Sequence, residues 1–251
     1  MKHKNTSWLL VAALAILGAQ ASWAADVVSS NIVGYNKVTL TSGYNMLGAN
    51  WKLVGGQSPA MAQVMDASDL PAMDLDSLSF NAQLLCWDGA GYAFYGWSGE
   101  VGDEDLDNQW LDDQYEIADI PAANGTGFWI DTSESATVIF SGEVPAEDAV
   151  TVNVSAGYNL IANPFPETIS IQKITSTDLP AMDLDSLAFN AQLLTWNGSG
   201  YSFYGWAGEV GDEALDNKWL DDQYEEATAT LDIGKGCWIQ TSAPGTVTFT
   251  K

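Results

Sequence analysis

The chain has 251 residues, nearly half of them apolar, with 33 carboxylates against eight lysines, no arginine and a single histidine. Its formal charge of −25 repels phosphate backbones and its lysines are scattered singly, so neither nucleic acid nor an anionic membrane surface is expected as a partner. The apolar share is too high for a disordered chain, and the length allows one or two compact domains.

At the start, Lys2 and Lys4 precede an apolar run over residues 8–18 and a small-residue site at Ser22-Trp23-Ala24. This is the pattern of a secretory signal peptide cleaved after Ala24. The run is shorter than the roughly 20 residues a spanning helix needs, and no second apolar stretch follows, so no transmembrane segment is expected after cleavage. Cleavage removes His3 and two lysines, leaving six lysines against 33 carboxylates, a formal charge of −27. The expected location is outside the cytoplasm, secreted or at the cell surface, with the periplasm as an alternative.

Residues 69–115 return as residues 178–224 with 39 identities in 47 positions. Such self-similarity marks a tandem duplication, and it divides the chain into a signal peptide (1–24) and two β-repeat domains (25–145 and 146–251). In chain order, residues 30–40 (SNIVGYNKVTL) are rich in β-branched and aromatic residues and turn at Thr41-Ser42-Gly43 into residues 44–49. Residues 149–154 and 158–162 replay this pair, and both pairs read as hairpins. Ser58-Pro59 is a helix-start signal for a helix of barely two turns. Residues 80–87 alternate, with Phe80, Ala82, Leu84 and Cys86 on one face and Asn81, Gln83, Leu85 and Trp87 on the other. Asp88-Gly89-Ala90-Gly91 then supplies a tight reversal into residues 92–97, the clearest β-hairpin in the chain, with its twin at residues 189–206.

An acidic loop follows at residues 99–116 and again at 208–225. Gly125-Thr126-Gly127 leads into Phe128-Trp129-Ile130, and Gly234-Lys235-Gly236 into Cys237-Trp238-Ile239. These glycines enter strands and lack a third glycine, so they are a bend or bulge that lets a strand approach its neighbour, not a nucleotide fingerprint. Final strands at 136–140 and 246–250 close the copies, and a short polar linker, residues 142–148, joins them. The expected fold is all-β: two tandem homologous β-sandwich-like domains with short helical turns.

The frame G-Y-N-[ML]-[LI], W-[DN]-G-x-G-Y and G-x-G-x-W-I resembles exported bacterial proteins built from this duplicated repeat. The resemblance covers essentially all of the chain after the signal peptide. It implies export and β-rich repeats, and it transfers no functional residue.

Without histidine after cleavage there is no Ser-His-Asp or Cys-His machinery, and without arginine no bidentate phosphate clamp. A carboxylate pair acting on a glycosidic bond is the enzymatic option that survives. Cys86 aligns with Thr195 and Cys237 with Phe128, so a disulfide within one repeat is excluded; a bridge between repeats or chains, or two buried thiols, remain.

Two constellations are candidate sites. The acidic loops offer Asp103, Glu104, Asp107, Asp112 and Asp113 in the first copy and Asp212, Glu213, Asp216, Asp221 and Asp222 in the second. Calcium takes six to eight oxygens from such loops. Asp103, Asp105 and Asp107 echo the start of a helix-loop-helix calcium site, but Asn108 and Gln114 break that pattern and Ala214 replaces Asp105. The competing reading is a charged loop facing solvent.

The aromatic set is the other candidate. Along residues 92–97 one pair of rings fills the core and the other is free to stack on a sugar. The platform is placed at Trp87, Tyr95, Trp97 and Trp110, repeated at Trp196, Tyr204, Trp206 and Trp219; the competing reading is that these rings are core.

The expected function is that of an exported, acidic, non-catalytic surface or extracellular-matrix protein acting by self-association or adhesion, with itself or another surface protein as partner. The alternative is a bivalent carbohydrate-binding protein with a polysaccharide partner, with or without calcium; a carboxylate-based glycoside hydrolase is a more remote one.

Overall fold

Period-two alternation and turn chemistry dominate this chain, and the computed structural model answers with 46 % strand and 3 % helix, every sheet antiparallel. It describes residues 33–53 and 60–251; the expected signal peptide and the Ser58-Pro59 helix start lie outside them. The described residues gather into one compact unit, and no helix among them is long and apolar enough to cross a membrane.

The first repeat contributes β1 (Val33–Leu40), β2 (Gly43–Gly48), a single helical turn α1 (Met61–Val64), β3 (Met65–Asp66), β4 (Ala82–Trp87), β5 (Tyr92–Trp97), β6 (Trp110–Leu111), β7 (Gly127–Thr132) and β8 (Ala136–Glu143). The second contributes β9 (Ala149–Val154), β10 (Gly157–Ala162), β11 (Ile169–Ser170), a 3-10 turn (Ile171–Lys173), β12 (Ile174–Thr175), β13 (Ala191–Trp196), β14 (Tyr201–Trp206), β15 (Trp219–Leu220), β16 (Thr230–Leu231), β17 (Gly236–Thr241) and β18 (Gly245–Thr250). Each repeat builds a five-stranded sheet, β2-β7-β4-β5-β6 or β10-β17-β13-β14-β15. Each also builds a three-stranded one, β1-β8-β3 or β12-β18-β9.

These four sheets form a four-bladed, propeller-like arrangement, which corrects the expectation of two sandwich-like domains. The reason lies in the five-stranded sheets, which are apolar on both faces. One face joins its own repeat's core, with Leu84, Trp97, Ile130 and Phe140 in the first copy and Leu193, Trp206, Ile239 and Phe249 in the second. The other face contributes Met46, Leu85 and Trp129, which meet Leu160, Leu194 and Trp238 in a cluster shared by both repeats. A sandwich domain standing alone would turn that second face, polar, to water.

The opening strand pairs are a second correction, because they are not hairpins. β1 pairs with β8 (Val38 opposite Val138) and β2 with β7 (Met46 opposite Trp129), so residues 41–42 carry the chain from one sheet to another. The Asn45 side chain locks that corner: its Oδ1 accepts from Thr41 N at 3.0 Å, while its Nδ2 donates to Thr41 O and Gly43 O, each at 2.8 Å. Asn159 repeats the device around Ser155. The helix found is one turn capped at Ala60, whose N–H donates to Gln63 Oε1 at 2.9 Å.

The β4–β5 hairpin is as expected, with Trp87 opposite Tyr92 and Leu85 opposite Phe94. Asp88 Oδ1 accepts from Ala90 N and Gly91 N, both at 2.8 Å, and Asn197 does the same for Ser199 N and Gly200 N in the second copy. The side-chain parity also holds: Leu84 and Cys86 go with the repeat's own core, Leu85 and Trp87 with the shared cluster.

Candidate functional site

The rings expected to form a sugar platform divide between two environments. Trp97, Trp110, Trp206 and Trp219 are 5 %, 2 %, 1 % and 0 % exposed, and each repeat's pair packs ring to ring, at 5.1 Å and 5.0 Å between centroids. They are core, which removes them from any exposed platform. Tyr95 and Tyr204 are half-buried and lean on the same cores. Strand parity accounts for this: Tyr95 lies opposite Leu84 and shares its inward face. The rings that turn outward on β5 and β14 are therefore Tyr92 and Phe94, and Tyr201 and Phe203.

Trp87 and Trp196 sit where the repeats join. Trp87 Nε1 donates to Tyr158 O at 2.7 Å, and Trp196 Nε1 donates to Tyr44 O at 3.3 Å. Trp87 meets Trp238 edge-on at 5.4 Å, and Trp196 meets Trp129 in the same way at 5.5 Å. Each contact is the counterpart of the other with the repeats exchanged, so the seam has the logic of a twofold dimer interface inside one chain.

The Gly-x-Gly motifs serve this seam. A Cβ on Gly127 would lie 2.7 Å from Ile161 O, and one on Gly236 2.6 Å from Leu47 O. Gly48 N donates to Gly234 O at 3.0 Å, and Ala162 N to Gly125 O at 2.9 Å. The neighbour these glycines admit is the other repeat.

At the seam an open cleft of about 390 Å³ is lined by Tyr44, Leu85, Tyr92, Phe94 and Trp129 from the first repeat and by Trp196 and Tyr201 from the second. Phe94 and Phe203, large apolar rings, are 54 % and 56 % exposed; Tyr44 and Tyr158 are also exposed. Burial pushes the Tyr92 phenol above its ordinary range, and neighbouring Tyr201 adds to the shift. Trp238 Nε1 donates to the Tyr201 hydroxyl at 3.2 Å, fixing that ring. Beside the aromatic face the register places a polar row, Tyr44–Asp131–Gln83, matched by Tyr158–Gln240–Gln192. Of the cleft's rings, the sequence reading held Trp196 and missed Tyr44, Tyr92, Phe94, Trp129 and Tyr201.

The acidic loops are organised by their own carboxylates. Asp107 Oδ1 accepts from Val101 N at 2.7 Å and Gly102 N at 2.9 Å, and Asp216 Oδ1 accepts from Val210 N and Gly211 N at the same distances. Asp112 Oδ1 caps Gln114 N and Glu116 N, as Asp221 Oδ1 caps Gln223 N and Glu225 N. Asp103 and Asp212 each accept from the backbone two residues on. Glu104, Asp113, Glu213 and Asp222 are exposed.

Among the described residues no three His, Cys, Asp or Glu side chains converge on a point that would hold a metal. In this structure the alternating aspartates serve turns in which a carboxylate replaces a missing backbone acceptor.

Both cysteines are free thiols, Cys86 half-buried and Cys237 buried. Burial pushes them up to about 11 and about 12, so neither is a thiolate at neutral pH. No protein-family model matches the chain, and a search of curated proteins returns no match.

Proposed function

We propose that this chain is an exported, acidic, non-catalytic protein of the cell exterior, a signal peptide of residues 1–24 followed by repeats 25–145 and 146–251, that binds a neutral polysaccharide at the aromatic seam. The observation that carries the reading is Phe94 and Phe203, both more than half exposed, Phe94 lining the aromatic cleft and Phe203 beside its Tyr201. A soluble protein that leaves such rings uncovered at a cleft has a use for them as a contact surface.

Sugar rings present flat C–H faces that stack on aromatic planes, and the hydroxyls around their rim suit the amide and carboxylate row of Gln83, Asp131, Gln192 and Gln240. A charge of −27 after cleavage disfavours polyanionic glycans. The absence of His and Arg after residue 24 and the two protonated thiols support a non-catalytic role. The test is tryptophan fluorescence against soluble neutral polysaccharides with chondroitin sulfate as the anionic control. Quenching or a blue shift with a neutral glycan is expected; a flat response across the panel overturns the reading.

Self-association or adhesion is the second reading, favoured by β1. This strand is an edge of its sheet, and Val33 and Tyr35 are 64 % and 77 % exposed on it. An edge strand with exposed apolar side chains is a template for pairing.

A further inference from the structure

The duplication alone would be read as two independent sites, one per repeat. The geometry points to something different: one continuous strip on which a single neutral, flat-faced polysaccharide chain crosses the seam, lying in turn on Phe94, Tyr92, Tyr201 and Phe203. This rests on the glycan-binding reading above and specifies how that ligand is held.

Three observations join the halves. Within each repeat the outward rings follow one another closely, Tyr92 to Phe94 at 6.2 Å and Tyr201 to Phe203 at 6.4 Å between centroids. Across the seam, Tyr92 and Tyr201 line the same cleft, so the two inner rings of the series share a single space. Half-buried tryptophans back both of them edge-on and rest in turn on buried ones: Trp87 lies 5.1 Å from Tyr92 and 5.4 Å from Trp238, while Trp196 lies 5.0 Å from Tyr201 and 5.5 Å from Trp129. The rings at the middle of the strip are thus fixed before a ligand arrives, which limits the ordering cost of binding.

The occupant follows from the surface. No charged residue lines the cleft, and the acidic protein repels polyanions. A run of aromatic faces fits a chain with C–H faces in series, as in an equatorially linked glucan. A compact monosaccharide would use one or two rings and leave the rest idle.

The experiment is isothermal titration of the whole mature chain with cello-oligosaccharides from disaccharide to octasaccharide, repeated for Phe94→Ala and Phe203→Ala. Both positions are exposed, and an unchanged melting temperature checks that each variant folds. The expected result is one oligosaccharide per protein, affinity that climbs with length, and about a tenfold loss for the longest chains in either variant with the stoichiometry still one.

Two sites per protein, with each variant erasing one of them, overturns the single strip. So does absence of cello-oligosaccharide binding when other neutral polysaccharides quench the fluorescence, and in that case the glycan-binding reading stands. Silence in both experiments removes both.

Discussion

Gly48→Ala tests the seam directly. A Cβ at residue 48 would lie 1.9 Å from Ala162 Cβ and 3.3 Å from Ala162 Cα. Carbon atoms in contact want about 3.5–4.0 Å, and no rotamer relieves a methyl–methyl collision, so the two backbones must part by more than an ångström. The partner is fixed: Ala162 is fully buried, and the backbone bonds Gly48 N to Gly234 O and Ala162 N to Gly125 O lie beside it. Overpacking of this kind costs about 1–3 kcal/mol, and stretching one of those bonds adds about 1 kcal/mol. A total of about 2–4 kcal/mol lowers the melting temperature by roughly 4–16 °C for a chain of this size.

The double variant carrying Ala162→Gly as well moves the one methyl to the other side of the contact and returns most of the loss. Ala162→Gly alone costs only about 0.5–1 kcal/mol. Calorimetry on the wild type, both singles and the double closes the cycle. A Gly48→Ala protein that melts with the wild type, or a double variant no better than the worse single, would refute the contact and the twofold-like seam with it.

Trp206→Ala, in the core of the second repeat, is expected to cost about 3–5 kcal/mol in denaturant unfolding. Phe203→Ala, on the opposite face of the same strand, should stay within about 0.5 kcal/mol; equal losses would mean that the parity assigned to β14 is wrong. The thiols give a pH dependence. With Cys237 raised from 9.0 to about 12, the stability of its buried neutral form is intact below about pH 9 and is lost as pH rises towards 12. The denaturant midpoint should therefore fall across that window in the wild type and fall less in Cys237→Ala, and a disulfide reagent should leave both thiols unmodified at pH 8 in the folded protein. Rapid modification there would show that burial does not hold these groups neutral.

The β4–β5 hairpin could be read from the sequence because all its information is local: alternation on both sides of Asp88-Gly89-Ala90-Gly91, whose aspartate caps its own turn. The corner at residues 41–43 could not, since the same turn residues serve a hairpin and a change of sheet. What separates the two is the partner strand, β7 or β8, some 90 residues further on. Which rings turn outward was hidden for a related reason. Along β5 both faces are apolar, one for the repeat's own core and one for the other repeat, so alternation showed that the rings divide into pairs without showing which pair faces the core. The acidic loop reads two ways in sequence for a chemical reason: aspartates at alternate positions are also what a series of capped turns requires, and Asp107 and Asp112 spend an oxygen on the backbone.

The Gly48–Ala162 contact also bears on why the two copies are fused. In an isologous interface of identical chains, a residue next to the axis faces its own copy, so both sides must be the same. Here the space holds one methyl: two alanines would collide, and two glycines would leave the methyl's volume unfilled. A tandem duplicate escapes that constraint, because position 48 and position 162 are free to differ, and they do. The surrounding rings have kept the symmetric solution. Leu85, Trp87, Tyr92, Phe94 and Trp129 recur unchanged as Leu194, Trp196, Tyr201, Phe203 and Trp238, so each reciprocal ring contact has identical partners on both sides. The eight differences within the 47-residue block fall elsewhere, among them Asp105 to Ala214 and Gln109 to Lys218 in the acidic loops. Divergence at the axis with identical rings around it is what a pseudo-dimer that gains its packing from fusion should show, and it ties the aromatic strip to the joined pair of repeats.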